Sequence, residues 1–414
     1  MSQQTKVCIA VFTVALAIRV ITVAALLPEL RPDANWDYYR DIGRNIAAGN
    51  GFVAVDPSGR LLPNVMRPPG YPVLIAALVK LGGDNLGLFL SVNCVLAAIT
   101  SALTVVLALR WLSLRAAAVA GVLSAIDPDS VVRCATVMSD WLFIMLLTLG
   151  VCVLAWRPVK LWAWFLAGLI WSLAVLCRPI GIWLWGVAVI VAFAERRRLA
   201  HVALFLAGFL PLIGLWTARN AMLTGHWFFS TAPTYNMVVS WASAIKGRET
   251  GQTTEAVQHR YLKEFGDLEF YDGPRAFDER IGAYRRIARE VMRPVPFLMT
   301  KEAVLGWGKL LLGPGQRALE LWVRKPDRGP RWWAIPYTLA LAVLVALAVW
   351  GTIRLKRAAV LPAALIVYCV VSGGGPGTNS RFRCPIIPEL AILAVAGVVG
   401  GTAPTSRQTA EPEH

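Results

Sequence analysis

The sequence predicts an all-α polytopic membrane protein: a bundle of about ten spans (nine to twelve) with interfacial helices on its outward face. Three observations predict it. Of the 414 residues, 57% are hydrophobic and only 16% charged, against roughly 25% charged in an average soluble domain. Apolar runs approaching the about 20 residues that a bilayer requires recur along the chain. Basic residues gather in alternate short loops, as the retention of Lys and Arg on the cytoplasmic side demands.

In chain order, the runs fall at 7–27, 86–109, 111–127, 141–156, 161–177, 179–194, 200–218, 333–353, 358–372 and 385–402. The first is long and lacks a small-residue cleavage site, so it reads as a retained helix rather than a signal peptide. With the N-terminus in the cytoplasm, Arg110 and Arg115, Arg157 and Lys160, Arg196 to Arg198, and Arg354, Lys356 and Arg357 all face inside. Residues 295–313 are expected to lie at the interface. As an eleventh span they would carry Lys301, Glu302 and Lys309 into hydrocarbon and turn the 354–357 cluster outward.

Two outward segments are large. The first, 28–85, is expected to hold a short helix over 37–48 and an apolar patch at 71–81 along the membrane surface. The second, 219–331, is the one region able to form an extramembrane domain. In it Ile281, Tyr284, Ile287 and Val291 repeat at helical spacing opposite Arg280, Arg285, Arg286 and Arg289, a solvated amphipathic helix. The organisation is thus an N-terminal module (1–218) with its first outward loop (28–85), the outward segment (219–331), C-terminal helices (332–403) and a disordered tail (404–414).

Composition excludes several classes. The formal charge of +16 is explained by topology, with some arginines facing an anionic phosphate, rather than by nucleic acid. Only His201, His226, His259 and His414 are present, too few for a His-based metal site or a Ser-His-Asp triad. The seven Cys show no CxxC spacing and mostly sit in apolar runs, where they read as small buried hydrophobes. No Walker motif or post-strand GxGxxG points to a nucleotide. No cofactor is expected, and the dependence on a divalent metal is left open.

The polar residues that could carry chemistry all map to the outward side. Asp33, Asp37 and Asp41 are spaced i, i+4, i+8; they read either as a general base for an acceptor hydroxyl or as a solvated helix start. Arg67 sits at the stiff RPPGYP bend, beside Tyr71. Asp140 enters the fourth span after Ser139, a candidate cap. Arg178 stands between two apolar runs, and Arg381 and Arg383 follow four glycines over 373–377 whose amides could approach an anion. Glu389, in the last span, is a candidate buried partner for one of these arginines. This set fits an anionic lipid-linked donor meeting an acceptor outside. A transporter or flippase for a lipid-linked or anionic substrate is the alternative, but no internal repeat supports it.

Several motifs carry a resemblance. DYYRDIGRNIAAGNGF and RPPGYP in the first outward loop, SDWLF at the fourth span and RPIG after the fifth occur in one order with WTARNAMLTGHWFFST and RFRCPIIPELAILA. In this the chain resembles the polyprenyl-phosphate-sugar-dependent glycosyltransferases of the GT-C superfamily, similar to protein O-mannosyltransferases and the lipid A aminoarabinose transferase. The resemblance implies a GT-C-like bundle in the cell (inner) membrane with an extracytoplasmic active site. It implies a polyprenyl-phosphate sugar donor and membrane lipid as partners, with an acceptor that is a protein, lipid or polysaccharide. An outward-loop Asp would be the base, an acid near Ser139-Asp140 would lie beside it, and arginines would hold the leaving phosphate. Members commonly carry an acid four residues before the loop tyrosine; here that count gives Asn35 or Ala34. The base therefore falls to Asp37, with Asp33 second and Asp140 third, and Arg67, Tyr39, Tyr71, Arg178, Arg381 and Arg383 bind substrate.

Overall fold

The computed structural model describes residues 1–29, 38–315 and 334–401. Asp33, Asp37 and the tail at 404–414 lie outside the described residues.

Helix α1 (Gln3–Leu26) opens the bundle; the Ser2 hydroxyl caps it by accepting from the Thr5 amide at 3.1 Å. Next come α2 (Tyr39–Ala47), the hairpin β1 (Val53–Val55) and β2 (Leu61–Pro63), and α3 (Gly70–Gly82). α4 (Leu86–Ala108) and α5 (Leu114–Ile126) follow, capped by Asn85 and Ser113. A single turn, α6 (Pro128–Val132), crosses the end of the bundle. α7 (Asp140–Trp156), α8 (Leu161–Val175), α9 (Leu184–Ala194) and α10 (Leu199–Thr224) are predominantly apolar.

The extramembrane segment holds α11 (Ala232–Asn236), a π-helical turn at Met237–Ala242, α12 (Ser243–Thr250), α13 (Thr254–Phe265) and α14 (Pro274–Met292). α15 (Pro296–Leu312), α16 (Ala334–Leu355), α17 (Val360–Gly373) and α18 (Ile387–Val399) rejoin the bundle.

Each of the predicted apolar runs is helical. Among the described residues, Gln3–Leu26, Leu86–Ala108, Leu199–Thr224, Ala334–Gly373 and Ser380–Val399 are long and apolar enough to cross a membrane. The Ala334–Gly373 stretch, 40 residues long, contains two of those runs. The apolar patch at 71–81 is the helix α3, and the short helix expected over 37–48 is α2. The hairpin is an addition to the expected all-helical architecture; its strands of three residues each are too short for a periodic signal.

Small residues let the helices approach. Gly168 of α8 lies against the Phe205 carbonyl of α10, and Gly208 of α10 lies against the Phe165 carbonyl of α8. Gly351 of α16 and Gly397 of α18 make the same reciprocal contact with Leu393 and Leu347. In membranes, where lipid tails are as apolar as Leu, such backbone proximity is the main source of helix association. Large side chains close the gaps: Trp164, Trp171, Phe143, Phe205 and Phe209 are buried.

Outside the bundle, α13 and α14 pack with the π-helical turn around Val238, Val257, Leu268, Phe277, Ile281 and Tyr284. Val65 and Met66, from the first large loop, belong to the same core. Three backbone links seal it: the Val65 amide donates to the Glu269 carbonyl at 2.9 Å, the Tyr271 amide to the Pro63 carbonyl at 2.9 Å, and the Thr231 amide to the Val65 carbonyl at 3.4 Å. The expected amphipathic face of α14 is present, with one difference: Arg280 turns inward and binds Asp272 at 2.7 Å.

Candidate active site

The loops at one end of the bundle converge on Asp140. This residue opens α7, where the positive helix end favours a carboxylate, and it is 3% exposed. Arg178 precedes Pro179, which holds its backbone extended (φ −146°, ψ 128°) as a following proline requires. Its guanidinium pairs with Asp140 Oδ1 and lies 5.9 Å over the rings of Phe143 and Phe382. Arg381 arrives on the 3₁₀ segment Ser380–Ile386, whose start is capped by Asn379, accepting from the Arg381 amide at 2.9 Å. Its Nε donates to both Asp140 oxygens, at 3.0 and 3.1 Å. One carboxylate thus organises two guanidiniums, and the triad keeps a formal excess of positive charge.

The same end carries an aromatic and basic group from the first loop. Ser139 does not cap α7; its hydroxyl hydrogen-bonds the Tyr39 hydroxyl at 3.1 Å. The Tyr39 ring packs edge-on against Tyr71, centroids 5.3 Å apart, and Arg67 lies 5.8 Å over Tyr39. Tyr71 donates to Asn93 Oδ1 at 3.2 Å, and the Asn93 amide donates to the Thr136 carbonyl at 2.8 Å. α3 is docked beside Arg178: the Gly70 amide donates to the Leu176 carbonyl at 2.6 Å. Tyr38, next to the group, holds a left-handed backbone (φ 55°) that a non-glycine residue adopts under constraint. Burial pushes its hydroxyl pKa up to about 12, helped by the nearby Glu269 and Asp267.

Sequence reasoning missed Glu269. Its carboxylate accepts from Arg67 Nε at 2.7 Å and Nη2 at 3.2 Å, and from the buried Asn64 amide at 3.2 Å. It lies far from Arg67 in sequence and carries no local motif, so only a fold could join them.

Other expectations change. Arg383 is fully buried and stands apart from the triad. It donates to the carbonyls of Leu310 (3.1 Å) and Gly313 (2.8 Å) and to the Tyr337 hydroxyl (3.1 Å), as a strut between α15, α16 and the 3₁₀ segment. The glycines at 373–377 are not an open anion cradle. A Cβ on Gly375 would come within 2.7 Å of the Trp241 ring, and one on Gly377 within 2.9 Å of Ser240 Oγ. Packing explains them. Glu389 is fully buried, and among the described residues neither of its carboxylate oxygens has a hydrogen-bond partner and no arginine pairs with it. Asp41 makes a long contact of 3.5 Å to Arg44 on the outer side of α2. Among the described residues no cluster of three or more His, Cys, Asp or Glu could hold a metal ion.

The fold is that of the GT-C membrane glycosyltransferases. The oligosaccharyltransferase of Archaeoglobus fulgidus tethered to an acceptor peptide superposes with a TM-score of 0.56 at 12% identity, over 94% of this chain and 49% of that one. The archaeal oligosaccharyltransferase AglB from the same organism, solved with an inhibitory peptide and a dolichol-phosphate, gives 0.56 at 14% identity over 96% and 50%. The chain spans about half the length of these enzymes. ArnT from Cupriavidus metallidurans bound to undecaprenyl phosphate is a weaker superposition, with a TM-score of 0.41 at 17% identity over 96% of this chain and 78% of that one. In sequence, residues 66–218 match the dolichyl-phosphate-mannose-protein mannosyltransferase family. No curated protein matches the chain in sequence. The resemblance drawn from the motifs thus agrees with a family match over residues 66–218 and with a shared fold.

Proposed function

We propose that this chain moves a sugar from a polyprenyl-phosphate carrier to an acceptor hydroxyl at the extracytoplasmic face of the cell (inner) membrane. The carrying observation is the Arg178–Asp140–Arg381 triad at the loop end of the bundle, beside the Arg67–Tyr39–Tyr71 group. The family matched over 66–218 and the dolichol-phosphate seen with AglB support the donor class.

The acceptor O–H gives its proton to Asp37, with Asp33 as the second candidate. The acceptor oxygen attacks the anomeric carbon, and the bond from that carbon to the phosphate oxygen breaks on the opposite face. The electron pair leaves on the polyprenyl phosphate, and the sugar is inverted. Arg178 and Arg381 stabilise the charge that grows on the phosphate. Asp140, with both oxygens taken by guanidiniums, is ill-placed to accept a proton and acts by orienting them. Arg67, held by Glu269 over Tyr39, lines the approach. Arg383 acts only through the position of Arg381.

The test is a transfer assay on purified protein with a panel of radiolabelled polyprenyl-phosphate sugars. Wild type should consume one donor, Asp37→Asn should not, and Arg381→Gln should slow transfer about 10²-fold, as losing one preorganised charge donor does. Consumption unchanged in Asp37→Asn, Asp33→Asn and Arg381→Gln would overturn the mechanism.

A further inference from the structure

We infer that the arginine face of α14 docks on the anionic phospholipid headgroups of the bilayer that holds the bundle. Arg285, Arg289 and Arg293 follow one another at i, i+4, i+8, with Arg286 beside them, and all four are exposed. The opposite face, Phe277, Ile281, Tyr284 and Ile287, is spent on the extramembrane core. None of the four arginines has an ion pair among the described residues. The one polar contact is from Arg289 Nε to the Arg285 carbonyl at 3.2 Å. Most arginines of the same core behave otherwise: Arg67, Arg248, Arg275 and Arg280 pair with Glu269, Glu302, Glu279 and Asp272, while Arg260 lies over the Tyr261 ring. Unpaired guanidiniums set side by side repel one another, and an external anion relieves that repulsion.

The place of the stripe selects the anion. It runs out at Arg293, and α15 begins three residues later. α15 buries Glu302, Gly306 and Leu310 and packs on α16 and α17. Its other face shows Phe297 at 83%, Val304 at 51% and Leu305 at 44% exposure, with Lys301 between them. An apolar face turned out from a bundle of membrane helices is covered by acyl chains. The arginines therefore end where lipid begins, which is the arrangement of a juxtamembrane basic cluster over anionic headgroups. Guanidinium suits phosphate because its fork can donate two parallel bonds. The sequence alone reads this face as merely solvated. Its continuity with α15 and its lack of partners argue for an occupant.

The experiment uses the full chain in liposomes. Six cysteines are buried and Cys8 is the partly exposed one, so a Cys8→Ser, Glu290→Cys protein carries a single accessible label site beside the stripe. Quenching of a fluorophore there is compared for headgroup-spin-labelled phosphatidylglycerol and phosphatidylcholine. Phosphatidylglycerol should quench more, and the excess should fall about fivefold for each of the four arginines changed to Gln, with thermal unfolding unchanged. Equal quenching by the two lipids would overturn the proposal. So would quenching by neither, with the label instead shielded by an added soluble acidic polysaccharide, which would make the face a site for an anionic acceptor.

Discussion

Asp140 shows what a single buried carboxylate can hold in place. Replaced by Ala, it would remove the carboxylate to which both Arg178 and Arg381 donate, and breaking a buried ion pair from one side typically destabilises by about 3–5 kcal/mol. Asp140→Ala should therefore lower the unfolding temperature in detergent clearly, and Asp140→Asn, which keeps the volume, less so. Acid behaviour has a separate origin. Hydrogen bonding from Arg280 holds the Asp272 carboxyl below its usual range. A depressed carboxylate contributes stability that is complete above the unfolded value of about 3.9 and is lost as pH falls through the folded one. Asp272→Asn should accordingly flatten the acid limb of the stability–pH curve, and an unchanged limb would show that another pair governs it. At this scale the sequence is half legible. Asp140, Arg178 and Arg381 stand out as charges at the ends of apolar runs. Arg383 gives the same signal and points elsewhere, because residues two apart on a 3₁₀ turn are rotated by about 240°. Glu269 gives no signal at all, since its partner is on another segment.

At the level of elements, hydropathy located every apolar helix because the requirement it measures, an unbroken run of side chains that tolerate lipid, is local. The crossings were not legible. Whether Gly168, Gly208, Gly351 and Gly397 are loops, caps or contacts depends on which helix lies opposite. Gly70 is the crossing nearest the site. A Cβ there would meet the Leu176 carbonyl at 2.8 Å and Cys177 Sγ at 2.9 Å. Gly70→Ala should destabilise by about 1–3 kcal/mol, the range for overpacking. It should also displace α3 from the backbone two residues before Arg178, so transfer should fall more than stability alone accounts for. Transfer and stability falling in proportion would make Gly70 a packing residue only.

Over the whole molecule, the first large loop and the segment after α10 share one core. Val65 and Met66 fill it, and Asn64 bridges to Phe270. A fragment covering 219–315 should therefore remain largely unfolded by circular dichroism, and adding a peptide covering 60–68 should restore helicity; a fragment helical by itself would refute the shared core. The sequence reading divided these regions because linear composition cannot reveal a core assembled from residues some 200 apart.

The seat of Trp241 on Gly375 joins that extramembrane core to the Asp140 end of the bundle by direct contact. The π-helical turn carrying Trp241 and Ser240 rests on a backbone that runs six residues later into Arg381. Arg248 of α12 fastens the same neighbourhood to α15 through Glu302. The Gly375–Gly377 loop, packed against Trp241 and Ser240, leads directly into the 3₁₀ segment that carries Arg381. The outer core and the guanidinium at Asp140 thus share one short stretch of backbone, so the packing of one is not independent of the other.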